Sequence, residues 1–189
     1  VDGAGNTQTP LLQIEDNTNS NTAIALRYNS GAGAANRRAS FMFARTADGS
    51  AVSDNSVLGE VLFMGEGNST LEKAASIRAE VDGTPGTNDM PGRLVFSTSA
   101  DGSDSPTERL RITSDGKVGI GTTDPSGAVK LNVYADGAAT GGLIQITQDG
   151  TGDAAIDFQL KGEREYSLGI DNSDGDKFKL SSTAGVHSN

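Results

Sequence analysis

The sequence predicts an all-β fold of elongated, repeat-containing antiparallel modules that share a hydrophobic core with identical copies. Three observations carry this prediction. Short alternating segments are separated by Asp-Gly turns, apolar residues are scarce, and one stretch of sequence returns later in the chain.

Strand patterns dominate the chain. Arg93–Ser97 and Arg109–Thr113 are short, β-rich segments flanked by turn residues. Ala75–Val81 alternates apolar and polar residues with the two-residue period of a half-buried strand. The preceding Ser69-Thr70-Leu71-Glu72 has the form of a capping box, which predicts a single helical turn ahead of that strand.

Asp-Gly pairs mark the expected turns. Asp and Gly suit the positive-φ positions of a type I′ turn, and such pairs between apolar segments favour β-hairpins. Turns this frequent predict antiparallel meanders rather than crossover helices. The aspartates of these pairs are Asp2, Asp48, Asp82, Asp101, Asp115, Asp136, Asp149 and Asp174.

The composition predicts that one copy cannot build a core alone. Hydrophobic residues make up 34% and aromatic residues 5% of the 189 residues, and 25 residues are glycine. A monomer of this composition buries too little apolar area to offset the entropy of ordering its chain. The alternating strand pattern disfavours disorder, so we expect a core shared between identical copies.

The charge balance argues against several partners. The chain has 15 Lys and Arg against 25 Asp and Glu, for a net charge of −10. Nucleic acid and anionic membrane surfaces attract basic proteins, so neither is expected as a partner. No apolar segment approaches membrane-spanning length, so no membrane insertion is expected. The absence of cysteine excludes disulfides and Cys-based metal sites.

An internal repeat organises the chain. Leu12-Gln13-Ile14 returns as Ile144-Gln145-Ile146, and Ala23–Leu26 returns at the same offset as Ala155–Phe158. Arg37–Phe41 then resembles Arg164–Leu168 after a shorter loop. These matches predict a first module over residues 1–132 and the incomplete start of a second, similar module over 133–189.

A longer motif begins with the predicted strand Arg109–Thr113. Residues 109–125 read R-x-R-I-x-x-x-G-x-V-G-I-G-T-x-x-P. Within it, Val118-Gly119-Ile120-Gly121 alternates β-branched residues with glycine, which gives one apolar face and one face open to the close approach of another backbone. Around a threefold axis, this alternation would let three chains meet tightly.

The motif resembles a segment common in phage tail fibres and in related virion or bacterial surface fibres. The resemblance implies a homotrimeric fibre in which the chain is a structural shaft or spacer segment and not an enzyme. It implies partners among other fibre or virion proteins, and a location in the virion tail or fibre, outside the cell, or on a bacterial surface. Two alternatives stay open: a module that binds a host-surface glycan or protein receptor, and a polysaccharide-degrading tailspike segment.

The sequence contains few of the residue patterns that catalysis or cofactor binding would require. His187 is the single histidine, and with no cysteine the usual nucleophile–histidine devices lack their parts, so we expect no catalytic residue. Gly116–Gly121 fits neither the Walker pattern nor a dinucleotide fingerprint and is interpreted as strand and turn. No cofactor is expected.

Weaker binding candidates remain. Residues 171–176 are rich in oxygen ligands, and Asp171, Asp174 and Asp176 could contact Ca²⁺, although their spacing departs from an EF-hand loop and a solvated turn is preferred. In the alternative in which the module binds a host-surface receptor, the candidate contact loops are Gly31–Ala35 and Asp82–Met90. A basic group is expected to pair with carboxylates of a neighbouring subunit or, alternatively, to contact an acidic glycan. Its members are Arg37, Arg38 and Arg45.

Overall fold

The computed structural model describes residues 40–47, 49–137, 142–161 and 164–182. Contacts within the chain divide it into two compact units, Val1–Asp136 and Gly137–Asn189. Each unit contains one β-sheet.

The first unit contains a six-stranded sheet with its strands in chain order. Strands β1 to β5 form an antiparallel meander, and β6 pairs with β5 in parallel. The strands are β1 (Val57–Gly67), β2 (Thr70–Val81), β3 (Gly92–Thr98), β4 (Thr107–Ile112), β5 (Val118–Ile120) and β6 (Leu131–Val133).

The second unit contains a three-stranded antiparallel meander, β7 (Ala154–Leu160), β8 (Arg164–Asp171) and β9 (Lys177–Ser181). A single turn of 3-10 helix, Asn172–Asp174, connects β8 to β9. The Asp171 carboxylate caps this turn by accepting hydrogen bonds from the amides of Ser173 and Asp174.

The all-β prediction is confirmed, since the described residues form nine strands and one helical turn of three residues. The predicted strands Ala75–Val81 and Arg93–Ser97 lie within β2 and β3, and Arg109–Thr113 extends one residue beyond the end of β4. The repeat and the trimer stay predictions, because the first copy of the repeat falls largely outside the described residues. The module boundary predicted between residues 132 and 133 falls inside β6 and also stays a prediction.

The predicted helical turn before β2 is wrong. Asn68 and Ser69 have φ values of 46° and 74°, and they form the tight turn that joins β1 to β2. Both central residues therefore have the positive φ of a type I′ turn, which matches the twist of the two strands. The Thr70 hydroxyl donates to the Gly67 carbonyl across this turn instead of capping a helix.

The Asp-Gly turns differ in detail from the expectation. Gly102, Gly116 and Gly175 have φ values of 79°, 72° and 69°, and each lies in the connection between two antiparallel strands. The aspartates that precede these three glycines do not have positive φ. These three Asp-Gly pairs therefore mark hairpins as predicted, with the left-handed conformation taken by the glycine alone, whereas Asp136-Gly137 and Asp149-Gly150 lie between β6 and β7 outside any hairpin.

Glycine allows the parallel return of β6. Gly121 has φ of 74°, and a Cβ atom there would lie 2.2 Å from the Tyr134 carbonyl oxygen. Gly119 is buried, and a Cβ atom there would lie 3.0 Å from the Thr122 carbonyl oxygen. The close backbone approach predicted for this motif is thus made within one chain, and the approach of three chains stays a prediction.

The core of the described residues is very small. Val52, Val81 and Val95 are the buried hydrophobic residues, and buried Ser76, Glu80, Ser97, Ser167 and Asp171 outnumber them. Many large hydrophobic side chains of the described residues are instead exposed. A single copy therefore leaves most of its potential hydrophobic stabilisation unused.

We predict that Gly121→Ala destabilises the chain far more than Gly116→Ala. Both positions have φ near 73°, which costs alanine about 1–2 kcal/mol. Gly116 has no atom within 4 Å of an added Cβ, whereas Gly121 meets the Tyr134 carbonyl. Urea midpoints at equal protein concentration measure the difference. Equal midpoints for the two variants would contradict the close approach at Tyr134.

Candidate functional site

One face of the six-stranded sheet is built from uncharged side chains in continuous rows. Residues paired across neighbouring strands share a face, so the strand register defines each row. One row crosses all six strands as Val61, Ile77, Phe96, Leu110, Ile120 and Val133. The next row crosses them as Gly59, Ala79, Leu94, Ile112, Val118 and Leu131. We call these two rows the first apolar face.

The first apolar face is open to solvent in the single chain. Ile77, in the central part of the sheet, is 37% exposed, and Leu94 beside it is 42% exposed. Leu131, on the edge strand β6, is 55% exposed. Apolar patches of this extent are rare on proteins that act alone, and they mark surfaces that contact another molecule.

The opposite face of the same sheet is polar and is closed by the chain itself. Arg93 is its central cation, because the guanidinium contacts the Glu80 carboxylate at 2.6 Å and Asp82 Oδ1 at 3.0 Å. Nη2 of Arg93 also donates to Oδ1 of Asn55 at 2.6 Å. The Arg93 and Glu80 side chains are almost fully buried. This network joins the turn before β1 to the end of β2 and the start of β3.

Asp82 extends the network to the turn after β4. Oδ2 of Asp82 accepts a hydrogen bond from the Ser114 amide at 2.7 Å. Burial opposes ionisation of Asp82, but the hydrogen bonds from Ser114 and Arg93 outweigh it and hold the pKa of this carboxyl below its usual value. Asp82 therefore remains charged and links the ends of β2, β3 and β4, and the hydrogen bond from Arg93 to Asn55 extends the network to the turn before β1.

Val95 lies in the middle of the polar face and is shielded by charged side chains. It lies between Arg78 and Arg111 in the ladder and is 1% exposed. Arg111 makes a two-pronged ion pair with Glu108, with N–O distances of 2.5 and 2.7 Å. This fixed geometry holds the aliphatic part of the arginine over the sheet. The polar face thus needs no further cover.

The three-stranded sheet repeats this arrangement. Asp171 is buried on its polar face, and Nζ of Lys179 contacts Asp171 Oδ2 at 2.7 Å. The hydrogen bonds from Lys179 and Ser173 lower the pKa of Asp171 to about 2. Apolar residues share the opposite face, which we call the second apolar face: Ala154, Ile156, Phe158, Leu160, Tyr166, Leu168, Ile170, Phe178 and Leu180.

The acidic turn considered for Ca²⁺ is paired with lysine. Nζ of Lys179 also contacts Asp174 Oδ2 at 2.8 Å, and Nζ of Lys177 contacts Asp174 Oδ1 at 2.9 Å. These ammonium groups neutralise carboxylates that a cation would need. Asp176 has positive φ in the turn before β9. Within the described ranges, no cluster of three or more His, Cys, Asp or Glu residues suits a metal ion.

The other predicted sites are distributed as follows. His187, Arg37, Arg38 and the loop 31–35 lie outside the described residues. Arg45 is described, and its Nη1 donates to the Val57 carbonyl at 3.1 Å. The loop Asp82–Met90 connects β2 to β3.

Sequence reasoning did not single out the Arg93 network. Its members are ordinary polar residues at strand ends, and their convergence depends on the registers of β2, β3 and β4. The apolar alternation in Ala75–Val81 was the available signal for the first apolar face, but it covers one strand of six. The continuation of the apolar rows across all six strands can be seen only from the strand register.

Comparison with known proteins assigns the chain to no family, so its class is defined by its fold alone. A scan against protein-family models finds no match, and a search of curated proteins finds no significant match. In the part of the chain that the structure describes, no helix is long and apolar enough to cross a membrane. The described residues thus form an all-β structure with two antiparallel-rich sheets, and each sheet has one apolar face that is exposed among them.

We predict that Arg93→Met lowers the free energy of unfolding by about 3 kcal/mol, because it leaves the buried Glu80 carboxylate with a weaker set of partners. Arg109→Met is the matched control, since Arg109 is exposed and its described side-chain partner is the Thr98 hydroxyl. The control should change stability by less than about 0.5 kcal/mol. Urea unfolding compares the two, and similar losses would contradict the central role of Arg93.

We predict that Lys179→Met makes the second unit more sensitive to acid. The folded-state pKa of Asp171 is lowered to about 2, so its ionised form stabilises the fold fully above the unfolded pKa of about 4. That stabilisation is lost as the pH falls from about 4 to 2. Removing Lys179 raises the folded-state pKa, so unfolding followed by circular dichroism should begin at higher pH.

Lys177→Met provides the control for the acid titration. Lys177 is mainly exposed and contacts Asp174 rather than Asp171. Its removal should shift the acid transition less than removal of Lys179. Identical transitions for the two variants would contradict the role of the Asp171–Lys179 pair.

Proposed function

We propose that this chain is a structural shaft or spacer segment of a homotrimeric fibre, of the kind found in phage tail fibres and similar adhesive appendages. The observation that carries the proposal is the pair of uncovered apolar faces on sheets whose polar faces are already closed. A chain of this design needs identical or similar copies to complete its cores. Its function is then mechanical: it holds a tip at a distance from a particle or a cell surface.

The sequence motif supports the fibre context. Residues 109–125 form β4, the turn at Gly116, β5 and the start of the loop that leads to β6. The motif residues thus build the half of the first sheet where the strands are shortest. Their resemblance to fibre segments supports a fibre in a virion or on a bacterial surface as the setting.

The charge distribution supports self-association through the apolar faces. Both rows of the first apolar face lack charged residues, while ion pairs lie on the polar face. The centre of an interface between identical chains is typically depleted in charge and more apolar than the remaining surface. Each copy has a net charge of −10, so an assembly would present a strongly acidic exterior that favours solubility.

A second candidate function is binding of a host-surface glycan. A polar cleft of about 770 Å³ lies between the β1–β2 turn and the loop after β3. Carboxylates, hydroxyls and an amide line it and could accept or donate hydrogen bonds to sugar hydroxyls. The polar side chains in its lining are Asn68, Thr70, Glu72, Asp101, Ser103 and Asp104. No aromatic ring lines the cleft, so sugar stacking does not support this candidate.

The structural proposal predicts a wild-type solution mass near three times the chain mass of 19.4 kDa, as measured by light scattering. Ile112→Glu should shift the mass to one chain, because it buries an unpaired charge in the centre of the shared core. Thr123→Glu adds the same charge at an exposed loop position and should keep the trimer mass.

Circular dichroism on the same samples separates loss of assembly from loss of folding. We expect Ile112→Glu to lose β signal together with mass, since the core of the single chain is small. A wild-type chain that is folded and monomeric at high concentration would contradict the proposal. So would an Ile112→Glu variant that keeps the trimer mass.

A further inference from the structure

Side-chain size changes systematically along one row of the first apolar face. The row begins with Gly59 on β1 and Ala79 on β2, and it ends with Leu131 on β6. Leu94, Ile112 and Val118 lie between them. The β1 end of this row has small residues of its own and is covered at Gly59 by Phe43, whereas the β6 end carries an exposed leucine.

The β1 end of this row contains an apolar socket of about 320 Å³. Phe43, which precedes β1, forms one wall, and it packs so closely on Gly59 that an added Cβ there would lie 2.4 Å from the Phe43 Cβ. Glu60 is the one charged residue of its lining. The lining residues are Phe43, Leu58, Gly59, Glu60, Val61, Ile77, Ala79 and Leu94.

The second sheet has the same gradient although its sequence is different. Its corresponding row begins with Ala154 on β7, continues through Ile170 and ends with Phe178 on β9, which is 69% exposed. An apolar cavity of about 230 Å³ lies beside Ala154 and is closed in part by Ile146, which precedes β7. One row in each unit therefore runs from a small residue on the first strand to a large one on the last strand, whereas the neighbouring rows do not.

We propose that Leu131 of one copy inserts into the Gly59–Ala79 socket of the next copy, so that the sheets contact head to tail around a closed ring. This inference rests on the proposed self-association and specifies its geometry. A head-to-tail contact joins two different surface patches, as the socket and the leucine are, and it forms a ring when the rotation closes. A twofold contact would join the same two patches reciprocally between two copies, so it predicts a cross-linked dimer where the closed ring predicts a larger species.

The strand register decides which residues meet. Rotation about an axis that runs along the strands brings the β6 edge of one sheet to the β1 edge of the next. The rotation leaves positions along the axis unchanged, so residues of the same row face each other. Leu131 and Ala79 belong to one row, as this contact requires.

The same two residues are far apart within one chain. Four strand spacings of about 4.8 Å separate β2 from β6, which places Ala79 and Leu131 roughly 19 Å apart. A disulfide requires Cα atoms closer than about 7 Å. A covalent link between these positions can therefore form only between copies, and the natural chain has no cysteine to interfere.

The test is oxidation of the Ala79→Cys/Leu131→Cys variant at a concentration where light scattering shows assembly. We expect a cross-linked trimer on a non-reducing denaturing gel, which reverts to single chains with reductant. Ala75→Cys/Leu131→Cys is the matched control, because Ala75 lies on the same strand and face but about 13 Å away along β2. The control should stay largely uncross-linked.

The other outcomes overturn the inference in distinguishable ways. A cross-linked dimer, or an open ladder of larger species, overturns the closed head-to-tail ring. An assembled variant without cross-links overturns the Leu131 contact but leaves the proposed function intact. A wild-type chain that never assembles overturns the proposed function itself.

A size exchange tests the same contact if the cysteine variants fail to assemble. Ala79→Leu fills the socket and Leu131→Ala shortens the side chain that enters it, so each change alone should weaken the assembly. The double variant should be more stable than the sum of the two effects, because the larger residue 79 fills the space vacated at 131. Additive effects, which are typical of residues that do not touch, would overturn the inference.

Discussion

Each sheet of this protein pairs its buried charged groups on one face, and this constraint leaves the other face apolar. On the first sheet the Arg93, Glu80 and Asp82 network and the Arg111–Glu108 pair close the polar face. On the second sheet Lys179 closes it over Asp171. Strand side chains alternate between faces, so the apolar residues must gather on the opposite side. The two rows of the first apolar face contain no charged residue that would make their exposure favourable.

As a consequence, charged side chains are buried and apolar side chains are exposed, which is the reverse of what is expected for a protein that acts alone. Glu80 and Asp171 are buried, whereas Ile77 and Phe178 are exposed. A buried charge is tolerated when it is paired, and the ion pairs here meet that condition. Exposed apolar rows have no such compensation within the chain. The stability of each unit is therefore expected to depend on what covers its apolar face, and a second copy offers a surface of matching chemistry.

Local features of the fold were predictable from the sequence, and long-range ones were not. The alternation in Ala75–Val81 and the glycines after Asp101, Asp115 and Asp174 gave the strand type and several turns, because both depend on neighbouring residues. The residues Ser69–Glu72 favour a helix start in the sequence although the structure has a hairpin turn at Asn68 and Ser69, because a capping box and a tight turn use the same residue types. The parallel pairing of β5 with β6, the Arg93 network and the socket depend on registers between distant strands, which no short motif specifies.

The most direct measurement of this account is the midpoint of thermal unfolding as a function of chain concentration. If copies cover each other's apolar faces, folding and association are one process, and mass action makes the midpoint rise with concentration. We expect a clear rise across a hundredfold dilution series, with loss of β structure and of assembled mass at the same temperature. A midpoint that stays constant over that range, in a chain that remains folded, would contradict the claim that the apolar faces form a shared core.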